Sequence, residues 1–293
     1  MAKKHSLKRL TAKAYNTPHF LMPSTLDTLL SYLERRNLGL LDDIEDEADE
    51  LEDEQETGSE PTMVANGIGY IEVCGALTYK PVMGMCGEVQ GVSYTGLLEQ
   101  VESLAEMGCK TLVMEFSTPG GQATHIFEYA DEIRAVCDEY GIELIGYAQE
   151  MACSAGYALI AQCDEVIANP DAIVGSIGCC VALTDVSKAM EMEGVKRIFI
   201  TSGSNKVPFA EDGTFKPEFI QKIQSDVDKA NMQFAKHVSK YTGLSVKEIN
   251  DLNADTFDAE TALKLGLVNS IKTNQEFAAY VAAKHKAKQS GAM

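Results

Sequence analysis

Three short stretches of this 293-residue sequence carry residue types that could do chemistry. The first is one hydroxyl, Ser154, in the run MACSAGYAL (151–159), where Ala152, Cys153, Ala155 and Gly156 ring it with small side chains. Nucleophilic attack needs the oxygen within about 3 Å of a substrate carbonyl, and small neighbours allow that approach. They also suggest a shallow pocket that prefers small side chains such as those of Ala, Gly or Ser. A serine at a strand-to-helix junction is equally a helix N-cap, so both readings stand. Cys153 is either a rival nucleophile or a packed thiol. The second stretch is Pro119-Gly120-Gly121, expected at the end of a strand and the start of a helix. Two glycines there allow a tight turn whose N–H groups can hold a phosphate or an oxyanion, or simply turn the chain. The third is Lys206, in TSGSNKVPFAEDG (201–213).

A serine nucleophile needs a base. His5, His19, His237 and His285 fall in tails or on a long helix, and His125 follows the glycine pair, where a solvated, packed or catalytic role is open. Lysine serves as a base when apolar surroundings disfavour its ammonium, and Val207, Pro208 and Phe209 supply such cover. Ser–Lys dyads are a known variant of the serine–histidine arrangement. A solvated loop lysine is the alternative.

Three regions must position or flank these groups. Residues 1–60 form a basic start, a short amphipathic stretch and an acidic run. From Asp42 to Glu60 there are twelve carboxylates and no base, which predicts a flexible arm. Residues 61–272 alternate between strand and helix patterns. Strands are expected at GIGYIEVCGAL, CKTLVMEF, IELIGYAQ, DEVIANP and KRIFITSG, with a strand pair at AIVGSIGCCVAL. Helices are expected with Leu97, Leu98, Val101, Leu104 and Ala105 on one face, and with Ile126, Ala130, Ile133 and Cys137 at 4-3-4 spacing. Further helices are expected at ACSAGYALIAQC, at TDVSKAMEMEGV and from about Pro217 to Tyr241. Such alternation means an α/β fold with mostly parallel strands. Residues 273–293 read as a helical tail, either packed or the root of something longer.

The net charge of −19 argues against nucleic-acid binding and against docking on an anionic membrane. The N-terminus lacks the apolar core of a signal peptide, and no apolar run is long enough to span a bilayer. The eight cysteines form no CxxC pair and read as buried thiols in a reducing, cytoplasmic setting rather than as a disulfide framework. No metal and no cofactor are expected.

In order along the chain, FSTPGG, ACSAGYALIAQCDEVIANPDAIVGSIG and SGSNKV resemble the signal peptide peptidase A family of serine peptidases. The match is closest to its bacteriophage branch of capsid (prohead) maturation proteases and extends over about residues 67–272. The spacing fits too, with 33 residues from Gly121 to Ser154 and 52 from Ser154 to Lys206. The resemblance implies a Clp/crotonase superhelix of ββα units, assembled as a homo-oligomer in rings. It implies Ser154 as nucleophile, Lys206 as general base, the Gly121 N–H with Gly120 as the oxyanion hole, and Ser176 as a hydroxyl orienting the lysine amine. It also implies phage scaffold, portal or capsid proteins as substrates, and action in the host cytoplasm or within the prohead. The membrane anchor of cellular members and their second tandem domain are not expected here.

Three alternatives remain at this point. A crotonase relative handling acyl-CoA would need polar groups where Ser154 stands, and an adenine-phosphate site that is not found. A Clp-type Ser-His-Asp peptidase would want a histidine near Cys179, where none occurs. A structural or scaffolding component of a phage head would leave the dyad idle.

Overall fold

The computed structural model describes residues 18–37, 62–64, 67–83, 89–185, 187–196, 198–203, 206–210 and 213–289. The acidic run from Asp42 to Glu60 lies outside them. Within them the chain opens with β1 (His19–Leu21) and α1 (Pro23–Asn37), which buries Leu26 and Leu33. The strand β2 (Thr62–Val64) pairs antiparallel with β3 (Ile68–Cys74), and β4 (Val82–Met83) pairs antiparallel with β5 (Val89–Gln90). Next comes α2 (Tyr94–Glu106), capped by the Ser93 hydroxyl, which accepts the Gly96 N–H. Its buried face is Tyr94, Leu97, Val101, Leu104 and Ala105, while Leu98 is only half-buried.

After β6 (Thr111–Thr118) and β7 (Gly120–Gln122) comes α3 (Ile126–Tyr140). It buries Ile126, Ala130, Ile133 and Cys137, the face its 4-3-4 spacing predicts. Gly141 ends it at φ 63°, a left-handed conformation that glycine adopts without a Cβ penalty. Then follow β8 (Glu143–Cys153), α4 (Ala155–Ile160), β9 (Glu165–Ala168), β10 (Ile173–Gly175) and α5 (Ser187–Met192). The chain continues through α6 (Pro217–Thr242), α7 (Val246–Asp251), β11 (Thr256–Asp258), α8 (Ala259–Lys264), β12 (Ser270–Ile271) and α9 (Asn274–Gln289).

Eight strands form the main sheet, ordered β11-β10-β8-β6-β3-β2, with β9 on β8 and β12 on β9. The inner pairings β3–β6, β6–β8, β8–β9 and β8–β10 are parallel, and only β2 and β11 join antiparallel. The fold is therefore α/β with a mostly parallel sheet. An irregularity matters for function: β6 pairs Phe116 with Ala148 but Ser117 with Met151. The extra β8 residues bend that strand, as a bulge does. Before the bend β8 pairs with β9, up to Ala148; after it, from Met151, it pairs with β10. The end of β8 thus keeps β6 on one edge and exchanges β9 for β10 on the other.

Side chains alternate across the pleat. Leu112, Met114, Phe116, Leu144 and Ala148 face a core closed by α2, α3, α4 and α6. Val113, Ile145, Tyr147 and Ile167 face the opposite side, where α9 lays Phe277 and Val281 over them. The tail after Lys272 is thus a packed helix.

Four sequence expectations change. The run KRIFITSG forms no strand among its described residues, and Ile198, Phe199 and Ile200 are exposed. Of AIVGSIGCCVAL only Ile173–Gly175 is a strand, with Cys180 making an isolated bridge. The helix expected at ACSAGYALIAQC begins only at Ala155, since β8 runs through Cys153. Within the N-terminal arm, His19–Leu21 and Pro23–Asn37 are regular structure packed on the domain, with Phe20 and Leu33 fully buried.

Candidate active site

Ser154 sits at the junction of β8 and α4, and its backbone is strained. Its φ of 54° with ψ −116° lies where residues with a Cβ are rarely found, and holding it there costs about 1–3 kcal/mol. Two bonds fix it. Its N–H donates to the Gly175 carbonyl at 2.9 Å, and its carbonyl accepts the Ala158 N–H at 3.0 Å. The N-cap reading fails in its usual form, because the Ser154 side chain makes no capping hydrogen bond. The residue is fully buried, and its Oγ has no hydrogen-bond partner among the described residues. A buried unpartnered hydroxyl is costly and invites a functional explanation.

Gly120 and Gly121 come to the same place, though not at a helix start. They lie in β7, and α3 begins only at Ile126. The helix start expected at this pair is therefore not there. Close approach explains both glycines instead. At Gly120, φ is +107°, and a methyl group would meet the Phe20 carbonyl oxygen at 2.2 Å, the Ser154 Cβ at 2.9 Å and the Ala155 nitrogen at 3.1 Å. At Gly121 a methyl group would run into the Leu77 backbone, with its carbonyl oxygen at 2.0 Å. Thr118 holds the turn, accepting the Gly120 N–H at 3.1 Å and donating to the Gly75 carbonyl at 2.6 Å. On the outer side of β7, the Leu77 N–H donates to Gly120 at 2.8 Å and the Gln122 N–H donates to Leu77 at 2.9 Å. The Gly121 N–H is left to face the other way, toward β1.

Ser176 lies on the neighbouring strand end. Cys153 pairs with Gly175 across the parallel β8–β10 ladder, so the residues that follow, Ser154 and Ser176, leave adjacent strands together. Ser176 is buried at φ 52°, and its N–H donates to Asp255 at 2.7 Å. Lys206 is exposed, and among the described residues no hydrogen bond joins it to the Ser154 Oγ. Val207, Pro208 and Phe209, expected to cover it, are half-buried.

The rival groups are occupied elsewhere. Burial pushes the Cys153 thiol up to about 12, so it holds its proton, and its Sγ points toward the Ile173 carbonyl at 3.6 Å. His125 is half-exposed and pairs with Glu128 at 2.6 Å through Nδ1. His237 is buried against the helix that follows Ser154, with Nε2 donating to the Ala158 carbonyl at 2.9 Å. Two features of the site escaped the sequence: the Ala155 N–H beside Gly120, and β1 lying over both. A three-residue strand far along the chain gives no local pattern to read. Among the described residues no His/Cys/Asp/Glu group could hold a metal ion, and no helix is long and apolar enough to cross a membrane.

Residues 138–289 match the family model described as Peptidase family S49, a stretch that contains Ser154, Ser176 and Lys206 but starts after the two glycines. The chain is 30% identical over 214 residues to capsid assembly protease C of Escherichia phage lambda, covering 71% of this chain and 47% of that protein. It is 27% identical over 214 residues to head-tail preconnector protein GP5 of Enterobacteria phage P21, covering 71% and 41%. It is 23% identical over 198 residues to the probable protease SohB of Haemophilus influenzae, covering 67% and 55%. The chain thus spans less than half the length of the two phage relatives.

Proposed function

Because the chain belongs to peptidase family S49, we propose that it is a serine endopeptidase with a Ser154–Lys206 dyad that cleaves phage scaffold, portal or capsid proteins. The observation that carries this is Ser154 itself: a strained, buried serine with an unpartnered Oγ, set against Gly120 at a strand end. Strain of this kind persists only where the surroundings over-determine it, and it concentrates at active sites. The phage relatives, whose names place them in capsid assembly and at the head-tail connection, support the choice of substrate. The bend of β8 and its change of partner support the superhelical fold that the family resemblance implies.

In the reaction, Lys206 in its neutral form takes the proton from Ser154 Oγ, and the oxygen attacks a peptide carbonyl. The base role requires the segment carrying Lys206 to fold toward Ser154, with the Ser176 hydroxyl positioning the amine. Two N–H groups are placed for the oxyanion. One is that of Gly121. The other is that of Ala155, which as the first residue of α4 has no carbonyl in its own helix to bond. The lysine then gives its proton to the departing amine, and water releases the acyl group from Ser154.

The test is cleavage of a co-expressed scaffold or capsid protein by Ser154→Ala. The loss expected is on the order of 10³-fold or more, as when other serine nucleophiles are removed. The fold is expected to survive, since alanine already occupies both sides of the small-residue collar. Retained cleavage would refute the nucleophile.

A further inference from the structure

The strand β1 occupies a slot between two backbone edges beside Ser154. On one edge its register places Leu21, Phe20 and His19 opposite Gly120, Gly121 and Gln122, and the Met22 N–H donates to Pro119 at 3.0 Å. Bonded pairs alternate along an antiparallel ladder, so the next after Met22–Pro119 is Phe20–Gly121, which turns the Gly121 N–H onto the Phe20 carbonyl. On the other edge the His19 N–H donates to Cys180 at 2.9 Å, and the Cys180 N–H returns to His19 at 3.0 Å. The Phe20 carbonyl oxygen and the Ser154 Cβ flank the same point at Gly120. Phe20 is 1% exposed, its ring against Phe127 at 5.4 Å and Phe234 at 4.8 Å between centroids. Beside it opens a cavity of about 270 Å³ lined by Pro18, Phe20, Ala123, His125 and Phe127 among others.

We propose that this slot is the binding groove for an extended peptide substrate, and that residues 18–22 are its resident occupant, which a substrate strand must displace. This rests on Ser154 as the nucleophile of the proposed peptidase. The occupant shows what the groove recognises. Main-chain hydrogen bonds on two edges hold any extended sequence, as in strand addition generally, and selectivity falls to the side chain in the aromatic pocket. That side chain is Phe20, and its carbonyl faces the Gly121 N–H assigned to the oxyanion. The preferred substrate therefore carries a bulky apolar residue there, not the Ala, Gly or Ser that the small collar suggests. An occupant tethered to the same chain competes at a high effective concentration, so the resting enzyme is self-blocked.

A disulfide lock tests this in the full chain. A hydrogen-bonded antiparallel pair holds its Cα atoms about 5.5 Å apart, within disulfide range, so His19→Cys can join Cys180 on oxidation. The probe is a fluorescent peptide of residues 18–24, Pro-His-Phe-Leu-Met-Pro-Ser, and Ser154→Ala is added so that nothing is cut. The reduced protein should bind the peptide about ten-fold or more tightly than the oxidised one, by release of the tethered competitor. Adding Cys180→Ser should erase the difference, and a peptide with alanine for phenylalanine should bind weakly to both. Phe20→Glu, which unseats β1 without a disulfide, should raise binding as well. Equal binding by oxidised and reduced protein, or none even with Phe20→Glu, overturns the groove. Redox-gated binding with no cleavage once Ser154 is restored would instead sink the nucleophile and leave the groove standing.

Discussion

At Ser154 three costs coincide: a φ of 54°, complete burial, and an oxygen without a hydrogen-bond partner. A serine that only capped α4 would bond its own first turn and carry none of them. Cys153, one residue away, is the natural control. Its thiol is pushed up to about 12 by burial, so thiolate is scarce at neutral pH and the group is a poor nucleophile. Cys153→Ala should therefore keep cleavage within a few-fold of wild type, read with the same co-expressed substrate as Ser154→Ala. Lys206 is the residue on which the proposed mechanism turns. Lys206→Arg keeps the charge, but a guanidinium does not give up its proton, so activity should be lost along with the base. Circular dichroism should be unchanged, because Lys206 is exposed and its removal takes nothing from the core. An active Lys206→Arg protein would pass the base role to another group.

Elements, not single residues, bring these groups together. β7 must run close to both Leu77 and β1, and only glycine fits. Gly121→Ala would set a methyl group 2.0 Å from the Leu77 carbonyl oxygen, so the strand must shift. The expected cost is about 1–3 kcal/mol by the usual penalty of overpacking, with a larger loss of activity because the donor N–H moves with the strand. Thermal melting and cleavage measured together separate the two effects. The helix after Ser154 is held from behind by His237 on α6. Burial pushes its imidazole down, outweighing the Ala158 carbonyl and Asp131, which act upward. The folded state thus resists a proton that the unfolded chain accepts, and stability falls as pH drops below about 6.5. His237→Gln should flatten that slope, seen as a smaller change in urea midpoint between pH 7.5 and 5. How legible these elements were follows from where their stabilising contacts lie. The face of α3, from Ile126 to Cys137, is set by contacts a turn apart, so spacing alone revealed it. The run around Ile198 and Ile200 has a strand's composition but no strand partner among the described residues, and composition cannot supply one. Gly120 and Gly121 were readable as a tight turn with free N–H groups, but not as a close approach, because what approaches them is Leu77 and Phe20, distant in sequence. Ser154, Gly120 and Ser176 could be picked out by motif, whereas β1 could not, since three residues carry no period.

Across the whole molecule the sheet has two faces, closed by different means. The face carrying Leu112, Met114 and Phe116 is covered by several helices, including those that frame Ser154. The other is closed, among the described residues, by α9, where Phe277 stacks on Tyr147 with centroids 3.9 Å apart and planes 5° from parallel. Outside that contact, Lys284 reaches Glu143 at 2.5 Å and Glu165 at 2.9 Å. Burial by itself would lower that ammonium, but Glu143, Glu165 and Tyr280 override it and hold the pKa above the ordinary lysine range. A raised lysine pKa gives stability that is complete below the unfolded value of about 10.4 and is lost only as pH rises through the folded one, so the Lys284 ammonium does not respond near neutrality. Phe277→Ala should cost about 3–5 kcal/mol, as buried phenylalanines do, because α9 cannot close the gap over Tyr147 without leaving Val281. That loss should show as a lower denaturant midpoint. Since α9 lies across the sheet from Ser154, the fraction still folded should cleave at the wild-type rate per molecule. If catalysis per folded molecule fell as well, the two faces would be coupled through β8, the strand that carries Tyr147 toward one core and leads into Ser154.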